Sequence, residues 1–128
     1  MRFLDSSAIV KLVLDEFGSA GLKSYLENRQ FASSELARTE VIRAVARRAP
    51  SHLELAFDIV EQAKLIHPTR ALLDTAARLS PPSLRSLDAI HLASALELRD
   101  ELTVFVAYDD RLLAAASALG MSVASPGA

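Results

Sequence analysis

Among the 128 residues there is no cysteine and no tryptophan. Without thiols, disulfides, thiolate zinc sites, iron–sulfur clusters and a cysteine nucleophile are excluded. Their absence fits a reducing compartment. Glycine and proline number only 4 and 5, and no linker rich in Gly or Ser interrupts the chain. Aromatic residues make up 5%, too few for a base-stacking platform. No apolar run approaches the roughly 18 residues of a membrane span. Neither sign of charge dominates. The formal net charge is −2 and the pI about 5.9, so bulk charge does not hold a polyanion, though a local basic patch remains open. Asp5 and Lys11 interrupt the stretch where a secretory signal needs apolar residues, and a cytoplasmic location is expected.

What is present is globular: 51% hydrophobic and 23% charged residues. The length suits one domain, expected to span 1–128. A chain of this size hides about two-thirds of its unfolded surface, enough for a sizeable core. No internal repeat is visible, and abundant alanine favours helices.

Arg2 to Leu4 reads as a short strand, followed by Asp5-Ser6-Ser7, three capping residue types in a row. Ala8 to Asp15, with Ile9, Leu12 and Val13 at helical spacing, reads as a helix; Leu22 to Leu26 fits a second. Phe31-Ala32 is a strand candidate, and Ser34 to Arg48 a helix ended by Pro50. Ser51 and Glu54 have the spacing of a capping box for a helix to about Lys64. A strand is predicted at Leu65-Ile66-His67, then helices at Thr69 to Leu79 and Ser86 to Leu98. Thr103 to Val106 is the clearest strand, apolar enough to be covered on both faces. Asp109 to Leu119 is a helix with Gly120 at C′, and Ser122 to Ala124 a last strand. Alternating strands and helices predict an α/β fold, a three-layer sandwich with a mainly parallel central sheet.

Asp5 ends the first strand and Asp109 follows the best one, each just before a helix. In open parallel sheets ligands bind outside the carboxyl ends of the strands, so both could face one crevice; each also suits a plain N-cap. Glu40 shares a helix side with Leu36, Ala37, Val41 and Ala44, and Asp88 with Leu84, His91, Leu92 and Ala95. A carboxylate on an apolar stripe needs a partner, whether Arg, a backbone amide or a metal. Converging carboxylates about 4 Å apart repel by roughly 4 kcal/mol at an effective dielectric near 20, which calls for a counter-charge. Oxygen-only donors point to a hard cation, Mg²⁺ or Mn²⁺, as in phosphoryl-transfer and nuclease sites.

These pieces resemble a known family. Phe3-Leu4-Asp5-Ser6-Ser7-Ala8, Thr39-Glu40-Val41, Leu87-Asp88-Ala89-Ile90-His91-Leu92-Ala93 and Tyr108-Asp109 with Arg111-Leu112 resemble the PIN-domain ribonucleases, in particular VapC-type toxins of toxin–antitoxin pairs. The resemblance covers nearly the whole chain in order. It implies a PIN-like fold and a metal-dependent endoribonuclease that cuts RNA by an activated water. It implies that Asp5, Glu40, Asp88 and Asp109 form the acidic pocket. Asp5, Asp88 and Asp109 would hold Mg²⁺ or Mn²⁺, and Glu40 would complete the shell or orient the water. It further implies a VapB-type antitoxin partner and a homodimer, to which Leu12, Leu22 and Leu26 could contribute if they are not core. The sequence departs from the pattern at Ala107, where many relatives carry Thr or Ser. Asp110 is a spare acid beside Asp109.

Arg38, Arg43, Arg47 and Arg48 crowd the helix of Glu40, either as a phosphate-gripping ridge or as a solvated face. Arg85 and Arg111 flank the motif acids. Ser7 suits a helix cap or a hydroxyl supporting the site; His91 reads as a hydrogen-bonded core histidine, and His52 and His67 as incidental. A phosphatase would want Asp-x-Asp after the first strand, and a receiver domain a Lys on a late strand; both are missing. The remaining alternative is a catalytically weak or silent PIN-like module that binds RNA or a protein.

Overall fold

The computed structural model describes residues 1–128. Five strands, β1 (Arg2–Leu4), β2 (Phe31–Ser34), β3 (Lys64–Ile66), β4 (Val104–Val106) and β5 (Val123–Ala124), form one sheet in the order β3-β2-β1-β4-β5. Every pairing is parallel, with Phe3 opposite Ala32 on one side and Phe105 on the other. Seven helices connect and cover the strands: α1 (Ser6–Val13), α2 (Ser19–Leu26), α3 (Ala37–Arg48), α4 (Leu53–Gln62), α5 (Arg70–Ala77), α6 (Ser86–Leu96) and α7 (Asp110–Ala118). The predicted three-layer α/β sandwich is therefore present, and the sheet is wholly rather than mainly parallel.

Alternation along the strands assigns the two faces. Leu4, Phe31, Val104 and Val106 pack with α1 to α4, against Ile9, Leu22, Val41, Val45 and Val60. Phe3, Ala32, Phe105 and Ala107 point the other way, against Leu92, Leu112 and Ala116 of α6 and α7. Leu72 and Ala76 of α5 close a small satellite cluster over Ala89 and Ala93 of α6. Phe3 and Phe105 stack with ring centroids 5.4 Å apart, fixing β1 beside β4. Leu22 and Leu26 are buried and Leu12 half-buried within the first layer, so these side chains are spent on packing inside the chain.

Several local expectations shift. The helix predicted from Ser34 starts at Ala37, because Phe31–Ser34 continues as a strand pairing with both β1 and β3. Ser51 caps nothing. Pro50 opens a 3₁₀ turn, Pro50–His52, ahead of α4, and the Ser51 hydroxyl meets His52 Nδ1 at 3.2 Å instead. Thr69 does cap α5, accepting from the Leu72 amide at 3.1 Å, and Gly120 takes the left-handed φ of +87° just past α7.

Candidate active site

From β1 the chain winds outward through β2 and β3, then returns to lay β4 and β5 on the other flank. The reversal opens a crevice at the carboxyl ends of β1 and β4, the position where open α/β sheets take their ligands. Asp5 leaves β1 directly, its amide bonded to the Val106 carbonyl at 3.2 Å; Asp109 leaves β4 after Ala107 and Tyr108.

Both acids cap the helices they precede. Asp5 accepts the Ala8 amide of α1 at 3.0 Å, and Asp109 Oδ1 accepts the amides of Arg111 and Leu112 of α7 at 2.8 and 3.0 Å. Capping and crevice placement therefore coincide in the same residues. Their settings differ: Asp5 is 6% exposed, whereas Asp109 is open to solvent. Ser7 is no cap; its hydroxyl donates to both Asp5 oxygens, at 2.9 and 3.0 Å. Burial pushes the Asp5 carboxyl above its ordinary range and outweighs the Ala8 amide, His91 and Ser7, with the charge of Asp88 adding to the rise.

Asp88 sits half-buried in the first turn of α6 and is in electrostatic reach of each of the other three acids. Burial raises its carboxyl, and Asp109 and Glu40 raise it further; His91 and Arg85 pull it down without prevailing. Asp88, Asp109 and Asp110 line one groove of about 920 Å³ together with Arg85 and Arg111. One wall is the Ser80–Leu84 loop and the other is the alanine face of α7, Ala114, Ala115 and Ala118.

Glu40, in the first turn of α3, borders the buried stripe of Ala37, Val41 and Val45. Its partners are neither Arg nor backbone amide. Oε1 accepts from the Ser6 hydroxyl at 2.8 Å and from His91 Nε2 at 2.7 Å. Burial opposes its ionisation, yet the His91 hydrogen bond and charge, with Ser6, hold its carboxyl below the usual range. His91 is a hydrogen-bonded core histidine as expected, 2% exposed and edge-on to Phe3, but its partner is a motif acid.

The arginines of α3 do not form one ridge. Arg38 pairs with Glu61 at 2.8 Å and Arg48 with Glu16, while Arg43 and Arg47 are solvated. His67 pairs with Glu35 at 2.8 Å, away from the groove. Ala107 is fully buried in the apolar cluster of α6 and α7, so the position acts here as packing. Ser6 and the His91–Glu40 link escaped the sequence reading. Their partners lie 34 and 51 residues from Glu40, and neither amphipathic spacing nor composition signals such a contact.

No three Asp, Glu or His side chains converge tightly enough to make a closed metal cage. The donors are nonetheless carboxylate oxygens only. Two of them are raised, Asp5 by burial and the charge of Asp88, and Asp88 by burial and the charges of Asp109 and Glu40, a set short of positive charge. That suits a hard divalent cation, which keeps several waters and asks few ligands of the protein.

A five-stranded parallel sandwich with acids at its switch point defines the class, and comparison agrees: the PIN domain family model matches residues 2–118. The chain belongs to that family. More particularly, it is 38% identical to Ribonuclease VapC47 of Mycobacterium tuberculosis over 134 aligned positions, covering 100% of this chain and 98% of that one. It is 43% identical to Ribonuclease VapC46 of the same organism, over 97% of this chain and 96% of the other. Among solved structures, M. tuberculosis VapC20, a toxin described as cleaving the sarcin–ricin loop, matches with a TM-score of 0.73. It is 18% identical, and the match covers 94% of this chain and 96% of that one, a likeness of fold.

Proposed function

We propose that this PIN-domain protein is a metal-dependent endoribonuclease, the toxin of a toxin–antitoxin pair. What supports the proposal is a chain similar throughout to ribonucleases, with Asp5 and Asp109 just past the ends of β1 and β4 and Asp88 in electrostatic reach of Asp5, Asp109 and Glu40. Asp5, Asp88 and Asp109 would hold Mg²⁺ or Mn²⁺, and Glu40, fixed through Oε1, would complete the shell or orient the attacking water. A bound divalent ion supplies charge neutralisation at the phosphate and a more acidic water. The chain's own contributions are positional. Ser7 and the Ala8 amide fix Asp5, the first turn of α7 fixes Asp109, and Arg85 and Arg111 border the groove where phosphates would lie. At such a site water would attack phosphorus in line and the 3′-oxygen would leave, taking a proton from solvent, to give 3′-hydroxyl and 5′-phosphate ends. A VapB-type antitoxin, a homodimer and a cytoplasmic location belong to the same proposal; no helix is long and apolar enough to cross a membrane.

Incubating the purified chain with structured RNA and Mn²⁺ is expected to give discrete fragments with 5′-phosphates, abolished by EDTA and by Asp88→Asn. Cutting that survives both would overturn the mechanism. A second reading, a silent module, is favoured by one feature, the buried alanine at position 107. It would appear as RNA binding with no fragments at any Mn²⁺ concentration.

A further inference from the structure

His91 and Ser6 bind the same oxygen of Glu40. His91 Nε2 lies 2.7 Å and the Ser6 hydroxyl 2.8 Å from Oε1, and the two donors are themselves 3.2 Å apart. None of the hydrogen bonds falls on Oε2. The three residues come from three helices, α1, α3 and α6, so the cluster ties the helix after β1 to the helices that carry Glu40 and Asp88.

The imidazole is held firmly. It is 2% exposed, lies edge-on to Phe3 at 6.3 Å, and is flanked in α6 by the buried Ala89, Leu92, Ala93 and Ala95. Its other nitrogen, Nδ1, is buried and meets no partner. A proton there would be an unmet buried donor, whereas on Nε2 it serves a carboxylate at short range. Nε2 is therefore the nitrogen that presents a proton to Glu40. An apolar side chain would fill this part of the core as well or better, since an unpartnered buried nitrogen is costly. The bond to Glu40 is the one return visible for a histidine here.

We infer that His91, seconded by Ser6, is a positioning residue for the ribonuclease reaction: the pair pins Oε1 of Glu40 and so presents Oε2 to the metal or the attacking water. The inference rests on the function proposed above. Partners of this kind orient a site carboxylate, and their loss typically costs about 10- to 100-fold in metal affinity or activity.

The test is a kinetic cycle on the full chain with a fluorogenic oligoribonucleotide and Mn²⁺. His91→Leu is expected to lower kcat by about 10-fold or more with KM for RNA unchanged, and to raise by a similar factor the Mn²⁺ midpoint, measured without RNA by the loss of the free-Mn²⁺ electron paramagnetic resonance signal. His91→Gln, which keeps an N–H near the Nε2 position, is expected to recover most of both. Ser6→Ala, at a half-buried position, is expected to give a smaller loss of the same kind. In a Glu40→Ala background, His91→Leu and Ser6→Ala should change nothing further, because their effect passes through Glu40. A general loosening of the core would add to Glu40→Ala and leave the Mn²⁺ midpoint in place. If Glu40→Ala is impaired while His91→Leu, His91→Gln and Ser6→Ala all cut at the wild-type rate, the positioning role is overturned and the proposed function stands. If wild type fails to cut, or Glu40→Ala cuts normally, it is the underlying function that fails.

Discussion

Asp5 caps α1 through the Ala8 amide and is buried beside Asp88, and the two circumstances pull on its carboxyl in opposite directions. Burial prevails, so the folded protein holds the Asp5 proton more tightly than the unfolded chain does. A carboxyl raised on folding lends stability at acid pH, and that contribution is lost as pH climbs above the ordinary carboxylate range. Asn caps a helix about as well as Asp and carries no charge. Asp5→Asn is therefore expected to raise Tm in EDTA by a few degrees near neutral pH, with the gain vanishing at roughly pH 4. The same variant should lose about 100-fold or more in RNA cleavage. Scanning calorimetry at both pH values, paired with the cleavage assay, checks it; a lower Tm at neutral pH would contradict the burial cost.

Among the elements, the turn between α1 and α2 is held by its own fastenings. Lys11 bonds Glu16 at 3.3 Å and the Phe17 carbonyl at 2.7 Å, Arg48 reaches Glu16 from α3, and the Tyr108 hydroxyl donates to the Pro126 carbonyl at 2.7 Å. Residues Pro126 and Gly127 lie directly on Gly18 and Gly21. A Cβ on Gly21 would meet Gly127 Cα at 2.5 Å, backbone against backbone. Gly21→Ala is expected to expel this tail and destabilise the fold by about 1–3 kcal/mol. Urea unfolding and faster carboxypeptidase trimming would report it. Unchanged stability would mean that the tail gives way freely.

The sequence displayed the strands and helices because burial on two faces imposes apolar runs on strands and amphipathic spacing on helices. It displayed Glu40 and Asp88 for the converse reason, that each breaks an apolar helix stripe, and Asp5 and Asp109 because each stands between a strand and a helix. It hid what depends on a neighbouring layer. Ser6 looked like one capping residue among three, yet its hydroxyl turns to Glu40 across to α3. Ser51 had capping-box spacing, but the 3₁₀ turn begun by Pro50 set the backbone there. Whether the arginines of α3 made a ridge or a solvated face was open in the sequence, and Glu61 and Glu16, far along the chain in each case, claim two of them.

At the scale of the whole molecule a net charge of −2 must coexist with a polyanionic substrate. The groove proposed for RNA carries Arg85 and Arg111 on its walls next to Asp88 and Asp109. In an Asp88→Asn background, which separates binding from cutting, Arg85→Ala and Arg111→Ala are each expected to weaken RNA binding. Each should also reduce the slope of log affinity against log salt by roughly 0.7, the value for one single-strand phosphate contact. Arg43→Ala, on the solvated face of α3, is expected to change neither. Fluorescence anisotropy across a salt series decides. An unaltered slope in both groove variants would move the RNA path elsewhere.

β1 lies in the middle of the sheet, and one of its neighbours, β4, is separated from it along the chain by β2, β3 and six helices. Phe3 pairs with Phe105, and the Met1 amino group reaches the Glu101 carbonyl, so the crevice requires residues about as far apart as this chain allows. A nascent chain halted before β4 has Asp5 and Glu40 but no Asp109 and no crevice wall. A fragment ending before β4 is therefore expected to cut no RNA, since the wall built by β4 and α7 is missing from it.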